Sequence, residues 1–426
     1  MKVLLLVAAG LALASGAYAE TPLDDVPVAD APVLTEVTSY LRFDSTSYRQ
    51  EPFPTTVENG FSSRADTFGV VARGEIAKIT WRASIRAQVK QDSSKTSSDF
   101  RLNELNRVFT LGEYCSSSVG KRVLFWDVGY LRQPVGFFQT LPVLNDLNDI
   151  EGRVEGVPLL LLSCDAGQNW SVSAVVSGAQ DSQRNSPQAT RVPRQAALRI
   201  SGQHDNLAFA AILRHADGQR SGLGATMTST LGERVGWYAS AYVQRGSARS
   251  VHAGLSEPYM FWRTDPYLRR NDNSIYPQWL LGATWNITDW LELRTEWAHD
   301  RNGLSDEEWR RWLALTRFHQ RGAEFGVPAA AIAGNLLWDL QTLTSGARRN
   351  YALLSMSAKQ GDWSGSVNAV INADDRSHLT LMNVDYRLSK TARLSIGASF
   401  FAGRQDSEYR LSPQRSAWSF IAYANF

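Results

Sequence analysis

Arginine dominates the chemistry this sequence could perform. Of the 44 basic residues 37 are arginine, set against 42 acidic ones. Arg82, Arg86 and Lys90 recur every four residues, and Arg73 stands on the segment before them. In an extended chain that spacing puts side chains on one face. Arg42, Arg199, Arg214, Arg294 and Arg387 fall at similar alternating positions, with Glu292 and Glu296 beside Arg294. A guanidinium suits fixed sites that meet carboxylates, phosphates or sulfates. Arg73, Arg82, Arg86 and Lys90 are therefore expected to form a positive ladder with only Glu75 close by, and such a ladder selects anions. The other charges are expected to pair and to keep a wall polar.

Other chemistries find less support. The six histidines are scattered, and none stands in a motif with a nucleophile and an orienting group. HExxH and glycine-rich phosphate loops are absent. Asn145, Asp146, Asn148, Asp149, Glu151 and Arg153 crowd one segment, but their spacing is not that of an EF-hand, so they read as solvated loop charges. Two cysteines are too few for a cysteine zinc site. Cys115 and Cys164 fall at one rim of the expected architecture, where a disulfide would fit an oxidising compartment. No enzyme and no cofactor is expected. The net charge of +2 argues against nucleic acid as a partner.

The elements that must position these arginines are strands. In Ile79 to Lys90, Ile79, Trp81, Ala83, Ile85, Ala87 and Val89 alternate with Thr80, Arg82, Ser84, Arg86, Gln88 and Lys90. One face suits lipid and the other water. About eighteen such segments succeed one another, at 35–44, 66–77, 79–90, 101–112, 121–131, 156–165 and onward to 415–426. Long connections (45–65, 132–155, 246–277, 301–346) alternate with short ones such as Ala77-Lys78 and His204-Asp205-Asn206. Trp81, Trp170, Trp237, Trp290 and Trp363 each come just after a short connection, as an interfacial girdle would. Trp279, Trp297, Trp418 and Tyr130 fall at the other strand ends. The expectation is an all-β fold, a transmembrane antiparallel up-and-down β-barrel of about 18 strands. Its long extracellular loop 301–346 is expected to be partly helical. Ser305 and Glu308 form a capping box there, and a second helical segment runs from Gly326-Val327-Pro328 to Leu340. An apolar segment exposed there would be unstable in water, so this loop is expected to fold into the mouth or to pack on a partner; Leu159 to Leu162 break the alternation of their strand, and folding inward would cover them.

The first residues read as export signal: Met1-Lys2, an apolar run from Val3 to Ala14, then Ala17-Tyr18-Ala19. The expected layout is a signal peptide at 1–19, cleaved after Ala19, a periplasmic lead at 20–34 and the barrel at 35–426. The terminal strand, Trp418 to Phe426, resembles the signal that the barrel-assembly machinery of Gram-negative bacteria recognises, which implies the outer membrane and its lipid as surroundings. The chain thus resembles outer-membrane porins. A second resemblance rests on RLNELNRVFTLG and KRVLFWDVGYLRQPVGFFQTLPVLNDLNDIEGRVEGVPLLLL, within Arg101 to Leu162. It is to porins of the alginate-export type, and implies an electropositive pore for an anionic polymer. Three functions stand to be tested: a porin for small hydrophilic, anionic solutes, an exporter of an anionic polysaccharide, and a closed barrel serving as scaffold or receptor. The oligomeric state is left open.

Overall fold

Alternation of apolar and polar side chains leaves each strand two faces that cannot both meet water or both meet lipid. A closed antiparallel sheet solves this, because closure also pairs every backbone group. A computed structural model describes residues 33–426 except 50, 55–60, 77, 92–94, 139–155, 182–190, 220, 248 and 270–272. The expected signal peptide, most of the lead and the carboxylates around Asn145 lie outside the described residues.

Eighteen strands form one closed sheet. They are β1 (Val33–Tyr48), β2 (Arg64–Ile76), β3 (Ile79–Lys90), β4 (Lys95–Leu111), β5 (Cys115–Arg122) and β6 (Val157–Asp165). Next come β7 (Trp170–Ser177), β8 (Gln195–His204), β9 (Leu207–Ala216), β10 (Gly222–Leu231), β11 (Val235–Arg245) and β12 (Ile275–Thr288). The last six are β13 (Leu291–Asp300), β14 (Asn350–Gln360), β15 (Trp363–Asn372), β16 (His378–Arg387), β17 (Ala392–Ala402) and β18 (Gln414–Asn425). Each pairs antiparallel with its sequence neighbours, and β18 pairs with β1, Tyr40 facing Tyr423 and Phe43 facing Phe420. The outer face carries exposed apolar residues such as Ile85, Phe100, Leu160, Val176, Leu213 and Leu281. Trp170, Trp290 and Trp363 are also exposed, at the ends of strands that come after short turns.

One strand lies elsewhere than the alternation suggests. The strand expected at 121–131 is not formed beyond Arg122. β5 is the shorter run Cys115–Arg122, which pairs with β4 through Leu111 opposite Cys115 and with β6 through Cys115 opposite Cys164. β4 and β5 are joined by a tight turn at Gly112, where positive φ lets the chain reverse. Beyond β5 the chain leaves the sheet. Gly129, Pro134 and Gly136 interrupt it, and neither proline nor glycine favours continued pairing.

The loop between β13 and β14 holds two helices, α1 (Asp306–Gln320) and α2 (Ala329–Gln341). Ser305 and Glu308 make the expected reciprocal capping box at the start of α1. These helices build a small core of their own: Trp309, Trp312 and Leu336 pack with Phe53 of the β1–β2 loop, and with Leu255 and Leu411 of the β11–β12 and β17–β18 loops. The result is an extracellular cap made from four loops.

Candidate functional site

Inside the barrel, the residues after β5 run across the lumen. Leu124, Trp126, Val135 and Phe138 pack on the inner faces of β6 to β9 and β11, against Leu159, Leu161, Val175, Ala197, Ile212 and Tyr242. Leu131 packs on the opposite apolar wall, against Leu280, Ala298, Leu353, Leu379 and Leu381 of β12 to β16. The expectation that loop 301–346 covers Leu159 and Leu161 does not hold. The cover is the segment 123–138, which is nearer in sequence and leads straight from the adjoining strand, whereas α1 and α2 already have apolar partners outside.

Polar groups fix this segment in place. The Asp127 carboxylate accepts N–H groups of Val128 at 2.7 Å, Gly129 at 3.0 Å and Val135 at 2.6 Å, folding the segment back on itself. Glu296 of β13 reaches from the wall. It accepts the N–H of Tyr130 at 2.9 Å and of Leu131 at 2.6 Å, and the hydroxyl of Tyr238 donates to it at 2.5 Å. Gln195 of β8 donates to the Phe137 carbonyl at 2.7 Å. Arg214 of β9 donates to Gln195 and Gln219, and its guanidinium lies 4.4 Å from the centre of the Phe137 ring. On the cap side, Arg132 stacks over Tyr351 at 4.9 Å. Tyr351 donates at 2.6 Å to Glu408, which also accepts the Ala347 N–H at 2.7 Å. Burial pushes the carboxyl of Glu408 above its ordinary range.

The charges expected in the lumen divide into two groups. Glu296 (4% exposed) and Arg214 (6%) face inward but lie beneath the inserted segment, where they hold it. Neither is open to a solute. The ladder on β2 and β3 lies elsewhere. Arg73 stands opposite Arg82, while Arg86 and Lys90 stand opposite Gly69 and Ala65. Its side chains share the inner face with the buried Ser84 and Val71. The ladder has more acid beside it than Glu75 alone. Arg73 forms an ion pair with Glu36 of β1, Arg86 lies 3.7 Å from Asp99 of β4, and Glu104 stands opposite Arg82. Strands adjacent in the sheet supply these carboxylates, and their register is set by pairing rather than by spacing along the chain.

The remaining charges are more local. Arg42 pairs with Asp44 at 2.8 Å on β1, and Arg294 with Glu292 at 3.1 Å on β13. Arg294 also covers Tyr130 at 5.3 Å, so that tyrosine belongs to the inserted segment and not, as expected, to a strand-end belt. Arg199 lies 6.0 Å from the Trp126 ring. Arg387 is exposed at the end of β16, opposite Arg393, away from the inserted segment. Cys115 and Cys164 are joined by a disulfide between β5 and β6, with Cα atoms 4.1 Å apart. Among the described residues, no group of His, Cys, Asp and Glu could hold a metal ion.

The sequence pattern did not anticipate Trp126, Val135 and Phe138 as a lining, nor Arg132 and Glu408 as a junction with the cap. The glycines and proline of 129–136 were the available signal for the first. Nothing local marks the second.

No protein-family model matches the sequence. No curated protein matches it either. The fold, however, is similar to that of solved structures. OccAB1 of Acinetobacter baumannii superimposes with a TM-score of 0.56 at 11% identity, over 94% of this chain and 99% of that one. OccK7 (OpdD) of Pseudomonas aeruginosa gives 0.53 at 8% identity, over 93% and 99%. OccK5 (OpdH) of the same organism gives 0.52 at 9% identity, over 94% and 99%. The chain shares with these proteins the fold of its closed 18-stranded antiparallel sheet. These likenesses are to Occ proteins and lend nothing to the alginate-export resemblance.

Proposed function

We propose that this chain is an outer-membrane channel for small hydrophilic solutes, with a preference for anions. The observation that carries this reading is the asymmetry of the lumen. The inserted segment covers the apolar walls of β6 to β9 and β12 to β16. The wall of β1 to β4, with Arg73, Arg82, Arg86 and Lys90, remains as the polar side of a passage. Arg73 keeps its side chain 62% exposed although it is paired with Glu36. A barrel of this strand number is wide enough for an aqueous channel, and in this reading the segment lying across it narrows that channel.

The N-terminal 19 residues act as a cleaved export signal in this reading. The strand ending in Phe426 serves twice, as the assembly signal and as the strand that closes the barrel against β1. Phe426 and Val37 exchange backbone hydrogen bonds at 2.8 and 3.2 Å. Export of an anionic polymer rests on the sequence resemblance alone.

The test is single-channel conductance of the refolded barrel in a planar bilayer, with a salt gradient. Steady open steps and an anion-preferring reversal potential are expected. A correctly folded barrel that stays silent would overturn the channel reading and favour a closed scaffold or receptor.

A further inference from the structure

The extracellular cap encloses a titratable cluster that the passage does not use. His252, His319 and Asp339 are all buried there. His252 ends the strand Ser250–His252 of a small hairpin in the β11–β12 loop, while His319 lies on α1 and Asp339 on α2. The Gly254 N–H donates to His252 Nδ1 at 3.0 Å, so His252 caps the short 3-10 turn Ala253–Leu255. A neutral imidazole has one donor and one acceptor nitrogen. The proton of His252 is therefore on Nε2, which faces Asp339 Oδ1 at 3.7 Å. His319 is placed differently. Its Nε2 lies 2.9 Å from the Met260 carbonyl, and its Nδ1 lies 2.7 Å from Asp339 Oδ2. The carbonyl only accepts, so Nε2–H donates to it, and one further proton is shared between Nδ1 and the carboxylate. His252 is thus the member of the cluster built to stay neutral. A proton on its Nδ1 would meet the Gly254 N–H, donor against donor, and would add a positive charge beside His319. The same arrangement excludes a metal, because neither nitrogen of His252 has a free lone pair.

Among the described residues, the other titratable or charged groups around His252 have partners of their own. The Tyr267 hydroxyl meets the Trp338 carbonyl at 2.9 Å and the Thr342 hydroxyl at 2.6 Å. Arg249 donates to the carbonyls of Gly346 and Thr342, and Arg311 to those of Gly254 and Glu257.

We propose that acid outside the cell unlocks this cap: protonation of His252 breaks its bond with Gly254 and repels His319, so the β11–β12 loop parts from α1 and α2 and the mouth loosens. Burial, with His319 nearby, holds His252 well below the usual imidazole value of 6.5, at about 4. A released loop takes up that proton below about pH 6.5, whereas the closed cap takes it up only below about pH 4. Stability of the closed cap is therefore complete above the first value and falls as pH drops through that window. Each pH unit shifts the opening equilibrium about tenfold.

Hydrogen exchange of the intact chain in detergent tests the proposal whether or not the barrel conducts. Protection of residues 306–341 is followed at pH 6.5, 5.5 and 4.5 and corrected for intrinsic rates. About a tenfold loss per unit is expected, with the barrel strands unchanged. His252→Asn keeps a side-chain oxygen for the Gly254 N–H but does not titrate, and its protection should stay flat. Equal acid response in His252→Asn would overturn the proposal. So would wild-type protection that is constant, or that falls only below about pH 4. Should His252→Asn loosen the cap already at pH 6.5, the wild-type titration decides alone through its onset.

Discussion

Along β6 to β9 and β12 to β16 the inner wall carries Leu159, Leu161, Val175, Ile212, Leu280, Leu353 and Leu379. Along β1 to β4 the same face carries Glu36, Arg42, Arg73, Arg86 and Asp99. An apolar inner wall in a water-filled lumen would be unstable, at roughly 25 cal/mol for each Å² left wet. The segment 123–138 removes that cost because its own Leu124, Trp126, Leu131, Val135 and Phe138 match the wall. Among the described residues of the segment, none packs its apolar side chains on the charged wall. The difference teaches that the chemistry of the wall decides which side of the lumen the segment covers.

That contrast can be broken most directly at Glu296. Glu296→Ala leaves the N–H groups of Tyr130 and Leu131 and the Tyr238 hydroxyl without their acceptor, costing about 4–5 kcal/mol of segment docking. Single-channel conductance should rise while the barrel remains folded. Unchanged conductance would mean that the segment does not set the width of the passage. Phe138→Ala attacks the same contact from the apolar side and should cost about 3–4 kcal/mol, read as a lower thermal midpoint together with a wider, noisier open state. Cys115→Ser removes the bridge between β5 and β6, the two strands from which the segment departs, for about 2–4 kcal/mol. Thermal unfolding should report it and conductance should not, since the docked contacts remain. If conductance changes as much as in Glu296→Ala, the bridge also positions the segment. On the charged wall the order reverses. Arg86→Glu, at a side chain about one-third exposed, should alter stability by no more than ~0.5 kcal/mol, yet shift the reversal potential towards cations. A loss of stability without a change in selectivity would remove Arg86 from the passage.

Much of the fold was legible because lipid and water impose a strict period of two. The alternation of Ile79–Lys90 placed β3 to the residue, and the Ser305–Glu308 box placed the start of α1. The strand expected at 121–131 failed for a physical reason. Leu124 and Trp126 alternate with Phe125 and Asp127 just as a strand would, and nothing in the alternation tells a wall-forming strand from a segment packed on that wall. The candidate site was legible only in part. Spacing put Arg82, Arg86 and Lys90 on the inner face with Arg73 alongside, but not Glu36, Asp99 and Glu104 beside them. It likewise gave Glu296 and Arg214 an inward direction but not a cover.

By itself the sequence determined the strand alternation, the strand count and the helix cap. Each of these comes from neighbours a few residues apart and from the two solvents a barrel wall must satisfy. Only the tertiary structure decided which acid meets which arginine, which half of the lumen is covered, and how His252 meets Asp339. Those depend on register across strands and on loops dozens to hundreds of residues apart, where closure of the sheet and not local spacing fixes the distance.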